Sequence, residues 1–206
     1  GAVGGVPAGG VDFGIVKNAE AILEHAAQFD YYHGCGVDIA FMGMAEADPD
    51  GNVNVSKFGD RTMGCGGFID ITQSARKVVF CATFTAGGAD VRVGEDGRLR
   101  ILSEGEVRKF VRRVGQVTFS GRRARDLRQQ VLFVTERAVF ELTDEGVVLK
   151  EIAPGIDLER DVLQRMDFRP KIPREPALMD ARVFRDGPMG LAAGFGSGGR
   201  NMSIRA

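Results

Sequence analysis

Two glycine-rich turns hold the residues of this chain best suited to chemistry. The first is Gly1-Ala-Val-Gly-Gly-Val-Pro-Ala-Gly-Gly10, and the second is Gly64-Cys-Gly-Gly-Phe68. Three glycines in four residues, just ahead of a helical stretch, let the backbone approach a ligand closely. Their amides could hold an oxyanion or a thioester carbonyl oxygen. A tight turn without a ligand is the commoner use of such a sequence, and the first stretch also reads as a terminal linker. That first stretch lacks the spacing and the strand–helix context of a dinucleotide fingerprint.

Carboxylates and a thiol stand near these turns. Glu46 follows a strand and Asp70 follows the second turn; each suits a cap or a solvated surface group. Cys65 lies between glycines, but His25 and His33 are distant in sequence, so a nucleophilic Cys–His pair is not expected. The two histidines lack metal-ligand spacing and read as structural. The basic stretch from Arg98 to Arg128 could bind phosphates. Glu104, Glu106 and Asp126 interrupt it, and it reads as a solvated face or a subunit interface.

The elements between the turns must position them. Val37–Gly43 reads as a buried strand. Asp48-Pro-Asp-Gly51 is a turn, with Val53–Val55 as the second arm of a hairpin. Ile69–Ala75 reads as a helical turn, and Lys77–Phe84 as the strongest strand, rich in β-branched and aromatic residues. Glu95-Asp-Gly97 centres a hairpin over 90–102. Arg123–Gln130 reads as a short helix. Val131–Leu142 and Val147–Ile152 flank Thr143-Asp-Glu-Gly146 as another hairpin. Asp157 caps a helix running to about Met166. The expected fold class is α/β, a layered open sheet with flanking helices over residues 1–190, followed by a flexible Gly/Ser-rich tail over 191–206.

Composition bounds the function. The chain has 206 residues, 44% hydrophobic and 27% charged, with 29 glycines. A net charge of −1 argues against nucleic-acid binding by bulk electrostatics. No apolar run approaches the roughly 20 residues of a membrane span. Three cysteines without a CxxC pair suit reduced thiols in a cytoplasmic protein. The chain opens on a glycine turn without Met, so the natural polypeptide is expected to begin upstream of Gly1.

Several segments, in order, resemble the family I coenzyme A transferases, specifically their carboxy-terminal, beta-like half. They are Gly1-Ala-Val-Gly-Gly-Val-Pro7, Gly51-Asn-Val-Asn-Val-Ser-Lys57, Gly64-Cys-Gly-Gly-Phe-Ile-Asp70, Val131 to Phe140 with its Val-Thr-Glu-Arg-Ala-Val-Phe, and Ile152-Ala-Pro-Gly-Ile-Asp157. The likeness runs from Gly1 to about Met189 and points to the single-chain acetate or propionate CoA-transferases.

The resemblance implies transfer of CoA between a short-chain acyl-CoA and a carboxylic acid. A glutamate carboxylate attacks the thioester, giving a mixed anhydride and CoA thiolate. The thiolate then forms a glutamyl-CoA thioester, and the acceptor acid reverses the sequence. The family glutamate stands in a Glu-Ser-Gly or Glu-Asn-Gly motif whose glycine matches Gly1. It is therefore expected two positions before Gly1, and no carboxylate of this chain takes its place. Gly64, Gly66 and Gly67 are expected in the pocket wall at the thioester, Gly4 and Gly5 in the turn after the nucleophile, and Asn54 in polar contact with CoA. Coenzyme A is expected as a substrate, with no tightly bound cofactor and no metal. The expected partners are the amino-terminal half of the same enzyme and further copies in a homo-oligomer, with no nucleic acid or membrane. Alone, this chain should be inactive and should expose an apolar face that the other half covers. Two other readings keep the fold: a noncatalytic binding or assembly domain, and an acyl-CoA hydrolase in which water replaces the acceptor.

Overall fold

Six strands form one mixed sheet, in the spatial order β6-β5-β4-β3-β2-β1. They are β1 (Val37–Gly43), β2 (Ala75–Cys81), β3 (Gln130–Val134), β4 (Ala138–Thr143), β5 (Gly146–Ile152) and β6 (Ala177–Leu178). This computed structural model describes residues 1–9, 12 and 14–191. The expected tail from residue 192 onward lies outside the described residues. β1, β2 and β3 run parallel, with Val78 opposite both Ala40 and Val131. β3, β4 and β5 form an antiparallel meander, and β6 returns parallel to β5.

The parallel strands need crossovers, and helices supply them. Helix α2 (Phe68–Ser74) precedes β2, and α3 (Gly121–Asp126) precedes β3. A further helix, α1 (His25–Cys35), precedes β1. Two short strand pairs lie before α1, Ala2–Val3 with Ala21–Ile22 and Val6–Pro7 with Val16–Lys17. The core gathers on the sheet face that α2 covers. The Phe80 ring is 5.5 Å from Phe133, 5.9 Å from Phe68 and 5.0 Å from Phe119. All four rings are buried, and each contributes about 1.5–3 kcal/mol relative to an exposed position. The hairpin Asp90–Val93 with Leu99–Ser103 and the 3₁₀ turn Ala181–Phe184 carry a smaller core of Leu99, Ala153, Met179 and Phe184. No described helix is long and apolar enough to cross a membrane.

The helical turn before β2 and the hairpin at Glu95–Gly97 lie where the sequence predicts, while the strand expected over Lys77–Phe84 starts two residues earlier, at Ala75, and ends at Cys81. Other elements differ. The apolar run Val37–Gly43 is an edge strand rather than a buried one: Ala40 faces the core, while Phe41 is 68% exposed. Both faces are apolar, but among the described residues only one is covered. The turn at Pro49 joins Glu46–Ala47 to Val53–Asn54, so the first arm of that hairpin is not the strand Val37–Gly43. The run Val131–Leu142 is two strands, because Thr135-Glu136-Arg137 forms a turn. Thr135 Oγ1 accepts from Ala138 N at 3.0 Å and donates to Ala138 O at 2.8 Å. α3 starts at Gly121 rather than Arg123, since the Ser120 hydroxyl caps it by accepting from Arg123 N. It stops before Gln129, whose side-chain amide donates to Thr72 O and Ala75 O. Asp157 does cap a helical segment, made of a π turn at Leu158–Val162 and a 3₁₀ turn at Leu163–Arg165.

Candidate functional site

The turn Gly64-Cys-Gly-Gly67 sits between Met63, whose N–H donates to Ser56 O at 2.8 Å, and the start of α2. Gly64 has φ 83° and Gly66 has φ 51°. This left-handed backbone strains any residue with a Cβ. Phe68 N closes the turn on Cys65 O at 3.0 Å. Among the described residues, no acceptor is found for the amides of Gly64, Cys65, Gly66 or Gly67. Amides without a protein acceptor are suited to an oxygen that arrives with a ligand.

These four residues line a cavity of about 660 Å³. Its other walls are Tyr32 of α1, the β1 residues Val37 and Ile39–Met42, Val55, and Phe68 and Ile71 of α2. Every side chain in this lining is uncharged. Cys65 is part of the wall and packs against the core cluster.

Helix α1 connects the two glycine stretches through adjacent residues. Gln28 abuts Gly1, where a Cβ would overlap its side chain, and Phe29 abuts Gly67, where a Cβ would overlap its ring. Gln28 Nε2 donates to the Tyr32 hydroxyl at 2.6 Å, which fixes that ring at the cavity. His33 Nε2 lies 3.0 Å from Asp70 Oδ1 and ties α1 to α2, with both groups about half exposed. Gly4 and Gly5 lie in the exposed bend between Ala2–Val3 and Val6–Pro7 and are not among the residues that line the cavity.

Asn54 lies beneath the turn, fully buried. Its amide nitrogen donates to Glu46 Oε2 at 2.8 Å and to Lys57 O at 2.6 Å. Its oxygen accepts from Ser56 N and Lys57 N, both at 3.0 Å. All four hydrogen-bonding sites of this side chain are therefore filled by protein. Glu46 Oε2 also accepts from Gly115 N at 2.7 Å. Ser56 Oγ meets Thr118 Oγ1 at 2.7 Å. Ser56 O then holds Met63, so the network runs from Glu46 to the entrance of the glycine turn. The sequence gives Glu46 and Asn54 as residues but carries no sign that they meet.

Two further groups escape sequence reasoning. Lys109 Nζ lies 3.5 Å from Met44 O, and burial lowers its pKa while the Glu136 charge partly offsets that. Arg137 is fully buried, with Nη1 on Glu104 at 2.6 Å and Nε on Glu136 at 2.8 Å. The basic stretch divides among separate partners: Arg100 on Asp96, Arg108 on Asp167, Arg123 on Gln73 and Arg125 on Asp50 O. Among the described residues, no group of three His, Cys, Asp or Glu could hold a metal ion.

No protein-family model matches the chain. The acetate CoA-transferase YdiF of Escherichia coli O157:H7 is 47% identical over 191 residues, covering 93% of this chain and 36% of that protein. A caffeate CoA-transferase of Acetobacterium woodii is 48% identical over 191 residues, covering 90% of this chain and 36% of that protein. The crystal structure of the E. coli O157:H7 acyl-CoA transferase YdiF, a thioester complex with CoA, matches with TM-score 0.81 at 46% identity. That match covers 91% of this chain and 35% of the other. The chain belongs to the family I CoA-transferases. It corresponds to their beta-like half and spans 36% of the length of the curated relatives. The mixed sheet with flanking helices is the CoA-transferase fold. Within this CoA-transferase segment, Gly64, Gly66 and Gly67 come together in one cavity wall. Gly4 and Gly5 do not join them, and Asn54 lies behind the wall rather than in it.

Proposed function

We propose that this chain forms the beta-like half of a CoA-transferase active site, in which the Gly64–Gly67 turn holds the thioester carbonyl oxygen. The enzyme moves CoA between a short-chain acyl-CoA and a carboxylic acid. The single observation that carries this reading is the set of acceptor-free amides in the wall of an uncharged cavity, in a chain of this family. Acetate and caffeate, the acids in the names of two relatives, are both monocarboxylic acids, in keeping with an uncharged cavity wall.

In this reading, a glutamate of the segment preceding Gly1 attacks the acyl carbonyl carbon, and the CoA sulfur leaves as thiolate. The thiolate attacks the glutamyl carbonyl of the mixed anhydride and releases the first acid. The acceptor carboxylate then repeats both steps in reverse. Each attack places negative charge on a carbonyl oxygen, and preorganised amides stabilise that charge without reorganising. Binding of the long CoA tail, remote from the reacting carbon, contributes to reaching these transition states. Asn54, with Glu46 and Ser56, acts as a positioning residue for the turn. Gly4 and Gly5 shape the bend after the nucleophile. The reading includes a cytoplasmic homo-oligomer and an amino-terminal half that completes the site, so this segment alone should not exchange CoA.

The test uses the full-length polypeptide, acyl-CoA and labelled acetate. Exchange of label into acyl-CoA, with loss of activity to hydroxylamine only after acyl-CoA treatment, is the expected result. Thioester hydrolysis without exchange would favour the hydrolase, and binding without either reaction would favour the noncatalytic domain; both contradict the proposal. Gly66→Ala should lower kcat by about 10–100-fold, because the strained turn misplaces its amides.

A further inference from the structure

We propose that Phe29 of α1 is a positioning residue for CoA transfer: its ring seats the Gly66 and Gly67 amides, and α1 thereby fixes their distance from the stretch that follows the nucleophile. This inference rests on the CoA-transferase reading above and adds a residue to the same site.

It starts from a glycine that the backbone does not require. Gly64 and Gly66 have positive φ, but Gly67 has φ −83° and ψ 7°. Residues with side chains commonly adopt such values in turns. What excludes a side chain at Gly67 is Phe29. The three atoms nearest to a Cβ built there all belong to the Phe29 side chain; Cζ would overlap it, and Cε1 would lie 2.8 Å away. The ring has little room to yield. The His25 ring is 4.7 Å away, and Tyr32 meets it edge-on at 5.7 Å.

No residue of α1 is fully buried, so the core does not set the position of this helix. Discrete contacts set it. Leu23 N, just ahead of the helix, donates to Gly1 O at 2.7 Å, and His33 meets Asp70 of α2. Between these, consecutive residues of the helix touch the two glycine stretches, Gln28 at Gly1 and Phe29 at Gly67. The helix is thus a spacer between the amides and the nucleophile proposed to precede Gly1. Displacing a reacting group by about 1 Å can cost about 100-fold in rate.

The experiment mixes the full-length polypeptide with excess acetyl-CoA and follows formation of the enzyme-bound CoA thioester by mass spectrometry in a single turnover. The amplitude counts folded enzyme, whereas the rate constant is independent of that fraction. Phe29→Leu, which withdraws the ring tip from Gly67, should lower the rate constant about tenfold or more, with the steady-state KM for acetyl-CoA within about threefold of the parent. Phe29→Tyr adds an oxygen to Cζ, the atom facing Gly67, and should lower the rate constant by a similar factor. Gly67→Ala should cost about tenfold or more in the parent and less than about threefold in the Phe29→Leu background, where the collision is gone. Parent-like rate constants for Phe29→Leu and Phe29→Tyr, or equal losses from Gly67→Ala in both backgrounds, would overturn the role of Phe29 while CoA transfer stood. A parent enzyme that forms no CoA thioester would instead overturn the CoA-transferase reading, and the role of Phe29 with it.

Discussion

Asn54 is the residue on which the order of the glycine turn most depends. Its side chain holds Glu46, Lys57 and Ser56 at once, at full burial. Asn54→Ala leaves a carboxylate oxygen, a carbonyl and two amides short of a partner. The expected loss of stability is about 2–4 kcal/mol, read as a lower denaturant midpoint with an unchanged slope. Arg137 is the second such residue. Its guanidinium lies 4.9 Å from the Phe84 ring centroid and joins Glu104, Glu136 and Asp161 O. Arg137→Met removes the buried counter-charge of two partly buried carboxylates, leaving Glu104 with Thr85 and Arg165 and Glu136 with Phe84 N, and should cost about 2–4 kcal/mol in the same measurement. Neither role was legible in the sequence. The glycines of the turn were, because their spacing is unusual, whereas hydrogen bonds between residues far apart in sequence leave no local pattern.

Elements were legible where local chemistry decides and obscure where the sheet decides. The Glu95-Asp-Gly97 turn, the β2 strand and the Asp157 cap follow from residue type. The exposure of β1 does not, since an apolar run reads the same at an edge and in the centre. The break in Val131–Leu142 depends on the Thr135 side chain and on a buried Arg137, so an apparently continuous strand divides. At the capped segment after Asp157, two hydrogen bonds from the Arg160 guanidinium, at 2.7 and 2.8 Å, hold the Asp161 carboxyl below its ordinary pKa. Burial opposes this, and the Asp157 N–H reinforces it. The folded pKa lies below the unfolded one, so the unfolded state binds more protons between the two values. Asp161 therefore stabilises the fold fully above about pH 5, and the contribution disappears as pH falls through the folded pKa. Asp161→Asn should melt earlier than the parent protein at pH 7, with the gap closing in acid. A gap independent of pH would contradict the assignment.

For the whole molecule, the apolar residues left outside are informative. Ile39 and Phe41 project from the uncovered face of the edge strand at 42% and 68% exposure. Among the described residues, their strand pairs on one side only. Large exposed apolar surface marks an interaction face, and the proposed amino-terminal half is its occupant. In the full-length polypeptide, Phe41→Asp should cost about 2 kcal/mol or more if that face is covered, and within about 0.5 kcal/mol if it meets water. The central claim concerns one oxygen atom. A crystal structure of the full-length polypeptide with its acyl-CoA or enzyme-bound CoA thioester tests it most directly. The account predicts the thioester carbonyl oxygen at hydrogen-bond distance from the Gly66 and Gly67 amides. A thioester seated elsewhere, with those amides bonded to protein, would contradict it.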